Sequence, residues 1–434
     1  MHKFSTSKYF FVSNSCVYQK FVVLLQRKNK ITMEQQDVQP ILNTYHNFLS
    51  TVTLDYIRPL MNVIDWEDRL IEIKGSKGVG KTTLMLQHIL QTFSNVDDTL
   101  YASLDNLWFK SYSLKELADW FYAQGGRYLF LDEVHYYPHW QTAIKNLIDE
   151  YANLHIVFSG SSMLQLEAGE GDLSRRLIDY HLPGLSFREY LQFEGVADFP
   201  AYSLEEILQN HIQISFAVKE KLGSIQPHFN AYLHHGYYPF YKAVRSGYEI
   251  RLQHVVNQVL ERDYPMIDEV TVATIEKTKK MLIVLAQSVP QMPTMNTLYG
   301  QLETGRNQGL KMLYALQRAD LLKLLTDNTK NLKTLSRPEK IFLHNTNLMY
   351  ALGAKIEVGT VRETFFLNQL SHVLPVCYPA KGDFLVDGKY LFEVGGADKT
   401  FDQIKDIPDS FLAIDNTETG YKNRIPLWMF GMLY

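Results

Sequence analysis

Between residues 70 and 182 short apolar runs alternate with amphipathic stretches. Leu70 to Ile73 alternates apolar and polar positions as a strand does, and Thr82 to Ile89 places Leu84, Leu86, His88 and Ile89 as a part-buried helix would. Thr99 to Leu104 reads as a further strand. The segment "SLKELADWFYAQGG" opens with Ser113 and Glu116 at capping-box spacing and closes on Gly125 and Gly126, so it reads as a helix. Tyr128 to Leu131 is continuously apolar, as a strand buried on both faces should be, and "HIVFSGSS" and Leu177 to Leu182 supply two more strands. Strands alternating with helices predict an α/β fold, a doubly wound parallel sheet whose ligand lies beyond the carboxyl ends of the strands.

The pattern changes after that. From about 200 to 265 it is helical, interrupted by "HHGYYPFY", where Gly236 and Pro239 punctuate the chain. Residues 270 to 345 predict three helices, the last running through "NQGLKMLYALQRADLLKLL", and then a wing; this is the order of a winged helix-turn-helix. Beyond it, "GDFLVDGKYLFEVGG" predicts a hairpin turning at Asp387 and Gly388, and "KTFDQIKDIPDSFLAIDN" a helix followed by closing strands.

The junction of the first strand and helix carries chemistry. Gly75, Gly80, Lys81 and Thr82 match G-x-x-x-x-G-K-[ST], so Gly75, Ser76, Lys77, Gly78, Val79, Gly80, Lys81, Thr82 and Thr83 form a candidate phosphate loop. Glycines let backbone amides curl round phosphate oxygens, Lys81 reaches the β and γ phosphates, and the Thr82 hydroxyl ligates Mg²⁺. The Tyr128 strand ends in Asp132 and Glu133, suited to hold the magnesium shell and to orient the attacking water; the plainer alternative is an acidic pair capping the helix near Trp140. Ser159 is either a γ-phosphate sensor or a loop-capping serine. Arg176 is a candidate arginine finger, against the many arginines that do no such work. The expected ligands are ATP and Mg²⁺.

Composition narrows the classes. At 434 residues the chain predicts about three domains, and 46% hydrophobic with 21% charged residues is a globular balance. A net charge of −4 gives no overall pull toward nucleic acid. From Thr304 to Lys340, however, eight Lys or Arg face three Asp or Glu, which suggests duplex DNA as a partner through residues 304–340, with Lys311, Arg318 and Lys323 as contacts; a solvated face is the alternative. Cys16 and Cys377 exclude a disulfide framework and fit a cytoplasmic protein, and the histidines, including adjacent His234 and His235, lack metal-ligand spacing. The first 32 residues hold six Lys or Arg and no acid, so residues 1–33 read as a disordered leader or an extension upstream of Met33; Phe21 to Leu25 is too short to span a membrane.

Taken in order, "GSKGVGKTT", "LFLDEVHYYPHW", "FSGSS" and "RRLIDYHLPGLSFREYL" resemble the prokaryotic AAA-type P-loop ATPases (AAA_14) that carry a C-terminal module called DUF4143. The resemblance covers about residue 50 to the C-terminus. It implies a sensor in the "GSS" strand, a phosphate-sensing role for Arg176, adenine as the base, a helical lid, and a restriction-endonuclease-like C-terminal α/β module. Arg175 stands where that family has glycine, and Gly184 where it has the second proline. In the module Asp383, Glu393 and Glu363 would be the metal-binding acids, but Gly395 occupies the lysine position, so nuclease activity is disfavoured unless Lys399 replaces it. The expected division is 34–195 ATPase core, 196–268 lid, 269–345 winged-helix-like domain and 346–434 C-terminal module, the last a protein-partner surface. Two functional readings compete: an ATPase driving work on a partner, and a slow nucleotide switch. A metal-dependent nuclease is the third, and the oligomeric state is open.

Overall fold

The apolar runs of the first half assemble into one sheet. The computed structural model of the protein describes residues 33–160, 175–244, 246–288, 294–327, 338–353 and 356–434. The expected leader, apart from Met33, therefore lies outside the described residues, as do Ser161, Ser162 and the tip of the expected wing at 328–337.

A first helix, α1 (Gln35–Thr51), leads into β1 (Leu70–Lys74), α2 (Lys81–Thr92), β2 (Thr99–Ser103), α3 (Leu114–Ala123), β3 (Tyr128–Asp132), α4 (Trp140–Glu150), β4 (His155–Ser159) and β5 (Ile178–His181). All five strands are parallel, in the order β2-β3-β4-β1-β5. Strand β4 is inserted between β1 and β3, so three segments distant in sequence end side by side. Burial on both faces explains why these strands are apolar runs: the first four residues of β1 and the last four of β3 are buried. Helix α3 begins with the expected capping box, Ser113 N–H donating to Glu116 Oε2 at 2.7 Å and Glu116 N–H to Ser113 Oγ at 3.2 Å.

The chain continues through α5 (Phe187–Phe193), α6 (Leu204–Leu222) and α7 (Gln226–Ala231), then a π-helical turn at Tyr232–Gly236, α8 (Tyr248–Gln258), a second π-turn at Val259–Asp263, and α9 (Tyr264–Ile267). Helices α10 (Val272–Ser288), α11 (Met295–Gln301) and α12 (Arg306–Arg318) precede the antiparallel pair β6 (Leu322–Leu325) and β7 (Lys340–Leu343). The third helix was expected to run through Leu325. It stops at Arg318 because Asp320 takes a left-handed conformation, φ 53°, that aspartate tolerates better than most residues, and the leucines beyond it pair with β7 instead.

Helices α13 (Thr346–Leu352) and α14 (Val358–Leu370) lead into a mixed sheet of β8 (Val376–Cys377), β9 (Phe384–Val386), β10 (Tyr390–Gly395), β11 (Ser410–Ile414) and β12 (Arg424–Pro426), ordered β12-β11-β10-β9-β8. The hairpin turns where expected, with Asp387 and Gly388 at φ 53° and 63°, and Lys389 adds one residue before pairing resumes at Tyr390. The helix expected after Lys399 is a series of turns. Pro408 supplies no amide and disfavours helical geometry at Ile407.

One apolar core links the halves, from Val38 through Phe187 to Leu433. A Cβ on Gly431 would lie 2.5 Å from that of Phe187, and Ser186 Oγ donates to the Tyr434 carbonyl at 2.6 Å. Among the described residues no helix is long and apolar enough to cross a membrane.

Candidate nucleotide-binding site

The loop between β1 and α2 has the backbone that its glycines predict. Gly75, Gly78 and Gly80 have φ of 154°, 92° and 102°. A Cβ on Gly75 would sit 2.3 Å from the Leu182 carbonyl oxygen, so at this position glycine answers both the dihedral and the close approach of β5's end. A Cβ on Gly78 would lie 2.9 Å from the Phe240 ring, which brings the "YYPFY" corner directly over the loop.

Lys81, 6% exposed, donates from Nζ to the carbonyls of Gly75 at 2.7 Å and Ser76 at 3.2 Å. Thr82 Oγ1 donates to Asp132 Oδ2 at 2.5 Å, and the Tyr101 hydroxyl reaches the same oxygen at 2.8 Å. Ser159 donates from Oγ to Asp132 Oδ1. The Glu133 amide faces Asp132 Oδ1 at 3.1 Å and Ser159 Oγ at 3.3 Å, while Glu133 itself is left-handed at φ 53°. Strained backbone of this sort persists where the surroundings over-determine it, commonly at functional sites. Burial raises the Glu133 carboxyl above its ordinary value, and Lys81 opposes that shift. The arrangement brings Lys81, Thr82, Asp132, Glu133 and Ser159 together at the carboxyl ends of β1, β3 and β4.

Arg176 is not among them. The β1–β5 register pairs Ile71 with Ile178 and Lys74 with His181, so Arg176 precedes the amino end of β5 and the loop follows the opposite end of β1. Six residues at about 3.3 Å each separate it from Leu182, roughly 20 Å. It is paired with Asp149.

A cavity of about 560 Å³ adjoins the loop, walled by Thr53, Tyr56, Thr83, Gln87, Phe193 and Lys242 among others, within the range of small-molecule sites. Gln87 holds its wall by donating to the carbonyls of Thr53 and Tyr56, both at 2.8 Å. Arg58 braces the loop from beneath. Its guanidinium donates to Glu189 at 2.9 and 3.1 Å, to the Val79 carbonyl at 3.2 Å and to the Pro183 carbonyl at 2.9 Å.

Two acids from the second half also reach the loop. Ser76 Oγ donates to Asp320 Oδ2 at 2.8 Å, and Lys77 Nζ is 3.6 Å from Asp263 Oδ1. Neither acid has a local sequence signal, since each meets the loop only through tertiary folding. Arg58 likewise lies outside the motif it supports, whereas His135 stands beside Glu133.

The cations expected to face DNA are differently disposed. Lys311 is exposed, Arg318 is paired with Asp268, and Lys323 lies half-buried near Asp320, its ammonium lowered by burial. Arg318 and Lys323 are thus engaged within the protein, a correction to the expected contact set. In the C-terminal sheet Lys340 Nζ is 3.3 Å from Glu363 and 3.5 Å from Asp383, and Lys399 Nζ is 3.4 Å from Glu393. Lys399 does occupy the space over Gly395, where a Cβ would meet its own at 2.7 Å. Among the described residues no group of three or more His, Cys, Asp or Glu is placed to hold a metal ion.

Residues 67–191 match the profile of an AAA domain family, AAA_14, and 226–358 match a domain of unknown function, DUF8612. With the strand order, the first match makes this half an AAA-type P-loop fold and supports a nucleotide-binding ATPase in general terms. The second match is to DUF8612 and not to the expected DUF4143, and it ends before β8, so it lends the expected C-terminal module no support. The uncharacterized protein MJ1637 of Methanocaldococcus jannaschii is 27% identical over 299 residues, 65% of this chain; the chain spans 62% of that relative's length. Similar solved structures include the Aeropyrum pernix ORC1 protein in complex with DNA (10% identity, TM-score 0.30, 71% of this chain and 90% of that one) and AMPPCP-bound DnaA from Aquifex aeolicus (12%, 0.26, 67% and 91%). At these scores the two likenesses carry no argument.

Proposed function

We propose that the protein binds ATP with Mg²⁺ at residues 75–83 and hydrolyses it. The observation that supports this best is the convergence of Lys81, Thr82, Asp132 and Ser159 at the strand ends beside the 560 Å³ cavity. The donor set fits the ligand: loop amides and the Lys81 ammonium suit phosphate oxygens, and the hydroxyl and carboxylate of Thr82 and Asp132, in contact with each other, are the hard oxygen ligands that Mg²⁺ takes. Bound there, the ion would neutralise charge on the transferring phosphoryl group. Glu133 orients water; burial raises its proton affinity and the Lys81 ammonium opposes that shift. Ser159 fixes Asp132 and the Glu133 amide. The cavity beside Val79 and Thr83 takes the nucleoside, with the base packed near Phe193. Arg176 plays no part in this mechanism within one chain; as a finger it would act on the nucleotide of a second copy.

Contacts from Asp320 and Asp263 to consecutive loop residues favour a second reading, in which the loop's occupancy is reported to the lid and to the three-helix, two-strand segment and turnover only resets the switch. Duplex DNA at the exposed side of α12, near Lys311, and a protein partner at the C-terminal sheet are the candidate recipients of that signal. Hydrolysis by the wild type, Lys81→Ala and Glu133→Gln, each with and without duplex DNA, tests the proposal. DNA-stimulated turnover supports the working ATPase, tight nucleotide retention supports the switch, and no binding of Mg²⁺–nucleotide analogues by calorimetry refutes both.

A further inference from the structure

We propose that Asp263 of the lid is a positioning residue for hydrolysis, acting through His135 on the carboxylate of Glu133. The inference rests on Glu133 being the water-orienting residue. Asp263 is 1% exposed and closes the π-helical turn Val259–Asp263, an irregularity that often marks functional positions. An isolated buried carboxylate costs several kcal/mol, so its partners must compensate. Its Oδ1 accepts from the Tyr136 hydroxyl at 2.6 Å and lies 3.6 Å from both Lys77 Nζ and His135 Nε2. These three partners belong to the phosphate loop and to the segment after β3.

His135 is the pivot. It is 5% exposed, its Nε2 stands 3.5 Å from Glu133 Oε2 and 3.6 Å from Asp263 Oδ1, and neither ring nitrogen has a hydrogen-bond partner among the described residues. The imidazole therefore lies between two carboxylates without a committed bond to either, and a shift of a few tenths of an ångström brings it within reach of one or the other. With the lid seated, Asp263 shares the ring with Glu133, so Glu133 keeps no committed bond to it and is free to face water. With the lid displaced, the ring's N–H turns to Glu133 and ties up the oxygen that the water needs. Lys77 gives the same carboxylate a hold on the phosphate loop, so lid position and readiness for hydrolysis change together.

The test is steady-state hydrolysis and calorimetric affinity for a magnesium-loaded analogue, on the full chain. Asp263→Asn keeps the shape and removes the charge; kcat should fall about tenfold or more while Kd stays within about threefold. Adding His135→Phe to that variant should restore kcat to within about threefold of wild type, a recovery that a merely structural aspartate would not permit. Wild-type kcat in Asp263→Asn, a loss confined to Kd, or no recovery in the double variant overturns the proposal. Should Asp263→Asn fail to fold, His135→Phe alone decides: retained kcat supports a ring that is held off, and a tenfold fall refutes it. Glu133→Gln runs alongside. If it turns over normally the underlying assignment of Glu133 is wrong, whereas an inactive Glu133→Gln with a fully active Asp263→Asn sinks the lid inference alone.

Discussion

Two clusters of acids and lysines lie at the ends of strands, and they are built in opposite ways. At the β1–α2 loop, Asp132 is held by three neutral hydroxyls, those of Thr82, Tyr101 and Ser159, and Lys81 by backbone carbonyls. At the β9–β10 hairpin, Glu363 and Asp383 share Lys340, and Glu393 faces Lys399. Charges that neutralise each other have little field left for a ligand, whereas charges held by neutral dipoles keep theirs. A cavity of about 560 Å³ adjoins the first cluster. Similar residue types can thus leave charge open beside a cavity in one place and form a set of internal ion pairs in another.

The comparison can be broken most decisively at Glu133. Its change to Gln should lower turnover by about 10²- to 10⁴-fold, roughly 3 to 5 kcal/mol of barrier, with nucleotide affinity unchanged, as phosphate release and calorimetry would read. Next is Arg58→Ala, which strands Glu189 in the interior; a loss of about 3 to 5 kcal/mol should appear as a lower denaturant midpoint. Acid sharpens the contrast further. His88, stacked on Trp66 with ring centroids 3.7 Å apart, is pushed down to about 4 by burial. Above pH 6.5 the ring is neutral folded or unfolded, but below it the unfolded chain takes the proton first. Stability should therefore fall as pH drops from about 6.5 to 4, by up to about 3 kcal/mol, and His88→Gln should flatten that slope in pH-dependent urea titrations. The smallest effect belongs to the second cluster. Glu393→Gln should cost about 1 to 3 kcal/mol of stability and leave nucleotide affinity untouched. Magnesium- or manganese-dependent DNA cleavage that Asp383→Ala abolishes would overturn the view of that cluster as internal pairing.

What could be read from the sequence was local. Gly75 to Thr82, the Asp132–Glu133 strand end and the Ser113 cap each lie within a window in which spacing dictates geometry, and the doubly wound sheet follows from alternating periods. Tertiary placement was illegible. Asp320 sits in a run that continues the helical pattern of α12, and only the pairing of β6 with β7, across the segment 328–337, turns it toward Ser76. Lys323 was counted as a surface cation because composition cannot tell a solvated ammonium from one folded against Asp320. Arg176 was read as a finger from its place just before a strand, and only the parallel register of β5 with β1 shows that this is the end of the sheet away from the loop. Arg58 and Asp263 belong to no motif at all; each is defined by what folds onto it.

Gly431 packed flush on Phe187, with Tyr434 bonded to Ser186 across 248 positions of sequence, bears on the order of events during synthesis. The oily side of α5 is laid down long before the stretch that covers it leaves the ribosome. Until then the emerging AAA-type half carries an uncapped greasy flank, the kind of surface that chaperones grip and that drives clumping when translation stalls.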